Sequence, residues 1–419
     1  MDILDDLKFR GLINQASNLE GLRKEMNKGK ISLYCGFDPT ADSLHIGNLM
    51  PILTLKRLQI AGHQPIALVG GGTGLIGDPS GKKEERTLNP QKTVEKWSQK
   101  FKVQLEQFLD FKRKDNPALI ANNYDWLGEI KVIDFLRDIG KYFTVSYMLA
   151  KESVKLRLES GISFTEFNYM VLQAYDFLNL FEKYNCKLQI GGSDQWGNII
   201  AGIDLIKKKT EDEAYGLTVP LVTKVDGTKF GKTESGTIWL DSKRTTPYQF
   251  YQFWINIDDR DVVQYIKFFT FLSKQEIEDL EKEVKNNPEK RDAQKVLANE
   301  VTSLVHSEDA AAIAEKISQK LFYDDIKDFS EKELQMIFES ASLTILENMK
   351  EISIVDLLVE TKICSSKRQA REDIQNKIVF INGNLYDDVQ KMMKKSDCLF
   401  NKYLIIKKGK KNYCFALWK

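Results

Sequence analysis

Two short motifs carry side chains suited to binding a polyphosphate. Residues 45–48 read HIGN and follow a buried apolar segment, residues 31–37, at the start of an amphipathic helix. Residues 229–233 read KFGKT and place two lysines three positions apart around a glycine. The N–H groups at a helix N-terminus bind anions, and a flexible basic loop can close over phosphates. Taken singly, HIGN is also consistent with an ordinary helix cap, and KFGKT is also consistent with an ordinary surface hairpin.

A third group of polar side chains shares one face of a predicted helix. Tyr169, Gln173 and Asp176 are spaced i, i+4 and i+7, which places them on the same face. Apolar residues between them can face a core. This face is suited to binding a small polar molecule, although the spacing alone is equally consistent with a polar surface stripe.

Buried strands and amphipathic helices alternate along the first half of the chain. Strands are predicted at 31–37, 65–69, 118–122, 187–191 and 217–222, and helices at 47–61, 91–111, 129–182 and 195–208. This alternation is typical of an α/β fold with a doubly wound, Rossmann-like parallel sheet. The carboxyl ends of such strands form a ligand-binding crevice, which would bring the motifs together.

The rest of the chain has a different pattern. We expect a Rossmann-like catalytic domain over 1–245, with a helical insertion at about 123–182, and an all-helical domain over 246–321. A linker is predicted at 322–351, before a small α+β domain at 352–419. This last domain is basic: residues 361–419 hold 14 Lys and Arg against 5 acidic residues, whereas the whole chain has a net charge of only +1. The asymmetry suggests a nucleic-acid partner, or simply a lysine-rich surface.

Composition narrows the class of protein. The apolar fraction of 42% over 419 residues indicates a folded protein with substantial cores. Five cysteines without CxxC spacing and only three histidines make disulfides, structural zinc and a His-rich metal site unexpected. No apolar run is long enough to span a membrane, and the first residues are acidic, unlike a signal peptide. We therefore expect a cytoplasmic protein.

The glycine-rich segment at 70–81 raises two alternative nucleotide sites. Gly72, Gly74 and Gly77 fit GxGxxG after a strand, but Asp78-Pro79 interrupts the helix that a dinucleotide site needs. A phosphate loop ending at Gly81-Lys82 would need a Ser or Thr where Lys83 stands. Both readings are therefore disfavoured.

Together, HIGN and KFGKT resemble the HIGH and KMSKS signatures of class I aminoacyl-tRNA synthetases. Residues 34–45, 70–89, 189–198 and 224–233 narrow the resemblance to tyrosyl-tRNA synthetases of the bacterial type, and it runs essentially end to end. Asn48 departs from the signature, which has a second histidine there. A neutral amide can still donate a hydrogen bond to a phosphate.

The resemblance implies a ligase that activates L-tyrosine with ATP and transfers it to the 3′ end of tRNA(Tyr). Such an enzyme needs no nucleophile of its own, because its substrates supply the attacking groups, and it acts by positioning and charge stabilisation. Mg²⁺ is expected with the ATP, without a dedicated protein site or a tightly bound cofactor. A homodimer is also implied, with its interface at about 123–165, where Trp126, Phe143 and Phe164 fit either an interface or a core.

The resemblance also assigns roles to individual residues. Phosphate contacts and catalysis fall to Thr40, His45, Asn48, Lys82, Arg86, Lys229, Lys232 and Thr233. Tyrosine would be bound by Tyr34 and Asp176 at its phenol, by Asp78, Tyr169 and Gln173 at its ammonium, and by Gln195. ATP would contact Gly36, Asp38, Gly47, Gly192, Asp194, Val222, Phe230 and Lys232.

The basic tail is similar to the RNA-binding domain named after ribosomal protein S-four. Lys367, Arg368 and Arg371 begin a basic helix there and are the expected tRNA contacts. Two alternatives remain: a tryptophanyl-tRNA synthetase, and a synthetase-like RNA-binding protein without catalysis. The Tyr34/Asp176 pair, the Phe-Gly form of the lysine motif and the basic tail disfavour the first. The intact lysine motif and Asp78 disfavour the second.

Overall fold

A computed structural model describes residues 2–80, 88–155, 157, 161–223, 230–233, 236–322, 326–340, 343–347, 349–409 and 412–419. The chain divides into two compact units. The first comprises Met1–Asp241 with Asp258–Ala293, and the second comprises Ser242–Ile257 with Gln294–Lys419.

The described strands and helices are numbered in chain order. The strands are β1 Gln15–Ala16, β2 Ser32–Phe37, β3 Gln64–Val69, β4 Leu119–Asn122, β5 Cys186–Gly192, β6 Tyr215–Val219, β7 Lys232–Thr233, β8 Gly236–Thr237, β9 Leu343–Leu346, β10 Glu351–Ser353, β11 Val379–Ile381, β12 Asn384–Leu385, β13 Met392–Lys394, β14 Tyr403–Lys408 and β15 Asn412–Trp418. The helices are α1 Ile3–Phe9, α2 Leu19–Lys28, α3 Ile46–Ile60, α4 Gln91–Leu105, α5 Tyr124–Leu127, α6 Val132–Asp138, α7 Val145–Leu149, α8 Glu152–Lys155, α9 Phe164–Phe167, α10 Tyr169–Tyr184, α11 Trp196–Thr210, α12 Pro247–Ile255, α13 Asp259–Phe269, α14 Lys274–Asn286, α15 Asp292–Val305, α16 Glu308–Phe322, α17 Glu331–Ser340, α18 Ile354–Glu360 and α19 Lys367–Gln375.

The first unit is built on a six-stranded sheet in the order β1-β6-β5-β2-β3-β4. Strands β2 to β6 run parallel, and the short β1 pairs antiparallel with β6. The order reverses between β2 and β5, and an open α/β sheet binds its ligand in the crevice at such a reversal. The predicted doubly wound, Rossmann-like sheet is confirmed.

The central strands are apolar because helices cover both faces of the sheet. In β3, five of six residues are buried, and in β2 Leu33, Tyr34, Cys35 and Phe37 are buried. The last parallel strand was predicted at 217–222, but β6 spans Tyr215–Val219. It stops there because Pro220 has no N–H to continue the ladder.

The second unit combines helices with a five-stranded sheet in the order β12-β11-β14-β15-β9 and a two-stranded β10-β13 sheet. The linker predicted at 322–351 differs from the structure, because this segment contains α17 and β9. Strand β9 pairs in parallel with β15, so it belongs to the sheet. A four-residue apolar strand has too little periodicity to predict, because its burial depends on a partner far along the chain.

Candidate active site

A cavity of about 380 Å³ opens at the carboxyl ends of the parallel strands. Residues just after the end of each of these strands line the cavity: Asp38 after β2, Gly70 after β3, Asn123 after β4, Asp194 after β5 and Val222 after β6. The cavity therefore lies where a doubly wound sheet binds its ligand.

The cavity brings together most of the residues that the sequence singled out. Those lining it are Tyr34, Gly36, Asp38, Thr40, His45, Gly47, Asn48, Asp78, Tyr169, Gln173, Asp176, Gly192, Asp194, Gln195, Val222 and Phe230. Lys232 and Thr233 form β7. Lys82, Arg86 and Lys229 lie outside the described residues.

His45 and Asn48 form a mutual cap at the start of α3. The Asn48 Oδ1 accepts from the His45 main-chain N–H at 3.0 Å, which leaves the amide NH₂ of Asn48 as its donor. The His45 Nδ1 accepts from the Gly47 N–H at 3.0 Å, so the neutral imidazole carries its proton on Nε2. Both side chains are thus held in the state that donates hydrogen bonds.

The lysine motif approaches the same helix end. The Ile46 N–H donates to the Ile238 carbonyl, and the Ile238 N–H donates to the Gly231 carbonyl, both at 3.0 Å. A Cβ added at Gly231 would lie 2.3 Å from the Ile46 side chain, so the Gly231 backbone packs closely against that side chain. The structure therefore brings the two signature motifs together, as the sequence predicted.

Asp176 and Tyr34 are buried polar residues that line the cavity. Both are nearly fully buried, and the Tyr34 hydroxyl has no hydrogen-bond partner among the described residues. The Asp176 carboxylate accepts from the Asn123 amide at 2.9 Å and from the Trp126 indole N–H at 2.8 Å. Burial raises the pKa of Asp176 to about 8 against these two donors, and it raises the pKa of Tyr34 well above its ordinary value.

A chain of hydrogen bonds continues from Asp176 to the other side of the cavity. The Asn123 amide also donates to the Thr73 hydroxyl at 2.8 Å, and Thr73 donates to Asp38 at 2.7 Å. The Tyr169 hydroxyl donates to the other oxygen of Asp38 at 2.6 Å. Tyr169 and Asp176 are therefore connected through side chains as well as through α10.

Asp78 lies in a second polar cluster. It accepts from the Gln195 amide at 2.6 Å and from the Ser80 N–H at 2.9 Å. The Asn198 amide donates to the Gln173 carbonyl oxygen at 3.0 Å and to Gln195 at 3.2 Å. Burial raises the pKa of nearby Asp194. Carboxylates and amide oxygens clustered in this way are suited to binding an ammonium group.

The sequence interpretation missed three residues of this site: Thr73, Asn123 and Trp126. Asn123 follows a predicted strand, a position that could have identified it, whereas Thr73 lies inside the glycine-rich segment. Trp126 was grouped with Phe143 and Phe164 as an apolar interface or core residue, but its N–H contacts Asp176. Phe164, in contrast, is 77% exposed, as are Val132 and Ile133 to 71% each.

The predicted tRNA-binding residues lie on α19 in the second unit. Ser366 caps this helix by accepting from the Gln369 N–H. Lys367 pairs with Asp356 at 2.7 Å and Arg368 pairs with Glu372 at 3.0 Å, and both cations are largely exposed. Exposed ion pairs of this kind are weak, so phosphates can compete for these cations.

The described residues contain no group of three or more His, Cys, Asp or Glu that could hold a metal ion. Within the same residues, no helix is both long and apolar enough to cross a membrane.

Comparison with known families divides the chain into two matched regions. The family model "tRNA synthetases class I (W and Y)" matches residues 26–323. The model "Tyrosine--tRNA ligase SYY-like C-terminal domain" matches residues 333–416. The second match distinguishes the tyrosine branch from the tryptophan branch that the first model also includes.

Individual relatives agree with this assignment. Tyrosine–tRNA ligase 1 of Bacillus subtilis (strain 168) is 59% identical over 420 residues and covers 100% of both chains. The tyrosine–tRNA ligase of Geobacillus stearothermophilus is 60% identical over 414 residues and covers 99% of each. Among solved structures, a C-terminally truncated mitochondrial tyrosyl-tRNA synthetase of Aspergillus nidulans matches with a TM-score of 0.70 and 30% identity, over 77% of this chain and 94% of that one.

Proposed function

Since this chain belongs to the tyrosine–tRNA ligase family of class I tRNA synthetases, we propose that its cavity forms tyrosyl-adenylate and passes tyrosine to tRNA(Tyr). In the first step, a carboxylate oxygen of L-tyrosine bonds to the α-phosphorus of ATP, and the bond to pyrophosphate breaks. In the second, a hydroxyl at the tRNA 3′ end attacks the tyrosyl carbonyl, and AMP leaves.

The observation that carries this proposal is the buried pair of Tyr34 and Asp176. A tyrosine side chain entering the cavity brings one hydroxyl to a site that contains an unpaired buried hydroxyl and a buried carboxylate. Phenylalanine would leave the Tyr34 hydroxyl without a partner and would bring no hydrogen-bonding group to Asp176, which is costly in a buried site. We assign Tyr34 and Asp176 to the phenol, and Asp78, Tyr169 and Gln173, with Gln195, to the ammonium.

The phosphate side is assigned to the two signature motifs. His45 and Asn48 donate to phosphate oxygens from the α3 N-terminus, where the helix dipole also favours negative charge. Thr40, Lys82, Arg86, Lys229, Lys232 and Thr233 complete the pyrophosphate contacts. Gly36, Asp38, Gly47, Gly192, Asp194, Val222 and Phe230 form the ATP site. ATP enters as its Mg²⁺ complex, and the phosphates supply the ligands of the metal.

Surface features support the proposed tRNA partner and the proposed homodimer. The cationic residues Lys367, Arg368 and Arg371 are assigned to the tRNA backbone, in keeping with the basic tail. The exposed apolar residues Val132, Ile133 and Phe164 fall within the segment assigned to a homodimer interface, and exposed apolar side chains close in sequence favour such a role. A cytoplasmic location and the domain boundaries other than the linker stay predictions.

A charging assay with the purified full chain tests the proposal. Bacterial tRNA, ATP and Mg²⁺ are supplied with radiolabelled tyrosine or, in parallel, tryptophan. Acid-precipitable tyrosine should accumulate, and tryptophan should not. Charging with tryptophan, or with neither amino acid despite a correctly folded protein, would contradict the assignment.

A further inference from the structure

Two buried arginines converge on the C-terminal end of α13. Arg57 is in the last turn of α3 and is 4% exposed, and Arg10 follows α1 and is 5% exposed. The Arg57 Nη2 donates to the Thr270 carbonyl and, at 3.4 Å, to the Phe268 carbonyl. Arg10 donates to the same Thr270 carbonyl at 3.2 Å and to the Lys267 carbonyl at 3.3 Å.

These contacts satisfy groups that a helix cannot satisfy by itself. The last carbonyls of an α-helix lack intrahelical partners and carry the negative end of its dipole. A buried guanidinium supplies both the missing donors and the opposite charge. Arg57 is also held over the Phe271 ring, 4.5 Å from its centroid, so an aromatic contact adds to its hydrogen bonds.

The same helix supports the lysine motif. Phe230 stacks on Phe269 with a centroid distance of 5.4 Å and meets the Tyr265 ring edge-on at 5.0 Å. The Tyr265 hydroxyl donates to the Thr223 carbonyl at 3.3 Å. Residues on both sides of 224–229 therefore dock on one face of α13.

We propose that Arg57 is a positioning residue for tyrosine activation. It ties α13, against which Phe230 packs, to α3, which has His45 and Asn48 at its other end. The spacing between the two phosphate-binding motifs then depends on the Arg57 contacts with the carbonyls of α13. This inference rests on the proposed function, because it assumes that both motifs hold ATP.

The proposal predicts a specific kinetic defect in the full-length Arg57→Met variant. In ATP–pyrophosphate exchange, kcat should fall and the KM for ATP should rise, with kcat/KM for ATP lowered roughly ten- to hundred-fold. The KM for tyrosine should stay unchanged, because the proposed tyrosine-binding residues lie on β2 and α10 and in the segments that follow β3 and β5. Rates are normalised to active sites titrated by tyrosine binding, so that misfolded protein does not contribute. Arg57→Lys keeps a cation and a donor, and should recover part of the loss.

Two further variants separate positioning from general damage. Lys56→Met is the matched control, because Lys56 also contacts the Phe271 ring, at 5.6 Å, from the neighbouring position on α3. It should leave the KM for ATP unchanged. Phe269→Leu removes the ring beneath Phe230 but keeps both arginines. It should raise the KM for ATP and lower kcat in the same way, so it tests the positioning role even if the Arg57→Met protein does not fold.

The outcomes are distinct. An equal loss of tyrosine and ATP binding, or normal kinetics per titrated site in Arg57→Met, would overturn the positioning role; normal kinetics per site in Phe269→Leu would do the same. Absence of tyrosine-dependent exchange in the unmodified chain would instead refute the proposed function.

Discussion

At the scale of single residues, the central feature is a carboxylate buried beside an unpaired phenol hydroxyl. Asp176 keeps two neutral donors, Asn123 and Trp126, and no cation is bonded to it among the described residues. Such a site accepts a hydroxyl from a ligand and penalises a ligand without one. Tyrosyl-tRNA synthetases are themselves a standard example of this rule.

Tyr34→Phe tests the phenol assignment. Removing the hydroxyl takes away one hydrogen bond to tyrosine and also removes the buried group that phenylalanine leaves unpaired, so the ratio of kcat/KM for tyrosine over phenylalanine should fall about tenfold. Exchange assays with both amino acids measure this ratio. A ratio equal to that of the unmodified chain would show that Tyr34 does not contact the phenol.

Asp176 also makes stability depend on pH. Its pKa is raised to about 8 in the folded chain, above the ordinary value of 3.8 in the unfolded chain. Between these two values the folded state holds more protons than the unfolded state, so the free energy of unfolding falls as pH rises. Asp176→Asn removes this titration.

The ligand-free chain should therefore lose stability relative to Asp176→Asn on going from about pH 5 to about pH 8. Urea unfolding midpoints of both proteins at each pH measure the difference. A difference that does not change with pH would mean that Asp176 titrates normally.

The sequence identified the site residues that belong to local motifs. It missed the residues whose place in the site depends on contacts between distant segments of the chain. The cavity contains all the residues that the resemblance assigned to tyrosine binding, and these lie on or after strands of the sheet and on one helix face. Thr73 and Asn123 belong to it only through bonds between the loops after β3 and β4, and no local pattern encodes that pairing. Trp126 was interpreted as an apolar residue because the sequence does not show that its indole N–H contacts Asp176.

At the scale of elements, the close contact between the HIGN motif and the lysine motif is the feature that tolerates substitution least. Gly231 has a φ of +78° and its backbone touches Ile46. Gly231→Ala adds both a strained backbone and a clash, so the two motifs should move apart. We expect kcat for exchange to fall roughly ten- to hundred-fold with little change in the KM for tyrosine.

Gly236→Ala is the matched control for this prediction. Gly236 has a φ of +110°, but an added Cβ would meet nothing within 4 Å. It imposes similar backbone strain without the clash, so it should lose much less activity than Gly231→Ala. Equal losses in the two variants would mean that strain, and not the contact with Ile46, limits the motif.

The elements that sequence reasoning placed best are long or fully buried. Helix α3 and strands β2 and β3 begin and end within one residue of their predicted bounds, because apolar patterns and caps define them. Helix α10 begins inside the predicted helical segment at 129–182 and ends two residues beyond it. Strand β9 was missed because its stability comes from pairing with β15, about 70 residues later.

At the scale of the whole molecule, chemistry and RNA binding are assigned to different regions of the chain. Replacing Lys367, Arg368 and Arg371 with glutamate in the full chain should weaken tRNA charging by raising the KM for tRNA, because several phosphate contacts are lost. ATP–pyrophosphate exchange should remain unchanged.

Lys285→Glu serves as the control, since it reverses one exposed cation on α14, outside the basic tail. It should affect neither reaction. Normal charging by the triple variant would contradict the assignment of these three residues to tRNA.

The central claim is that this cavity activates tyrosine with ATP. The most direct measurement is ATP–pyrophosphate exchange by the purified full chain with each of the standard amino acids in turn, without tRNA. We predict exchange that depends on tyrosine and is far weaker with phenylalanine and tryptophan. Exchange driven best by another amino acid, or no exchange with tyrosine, would contradict the claim.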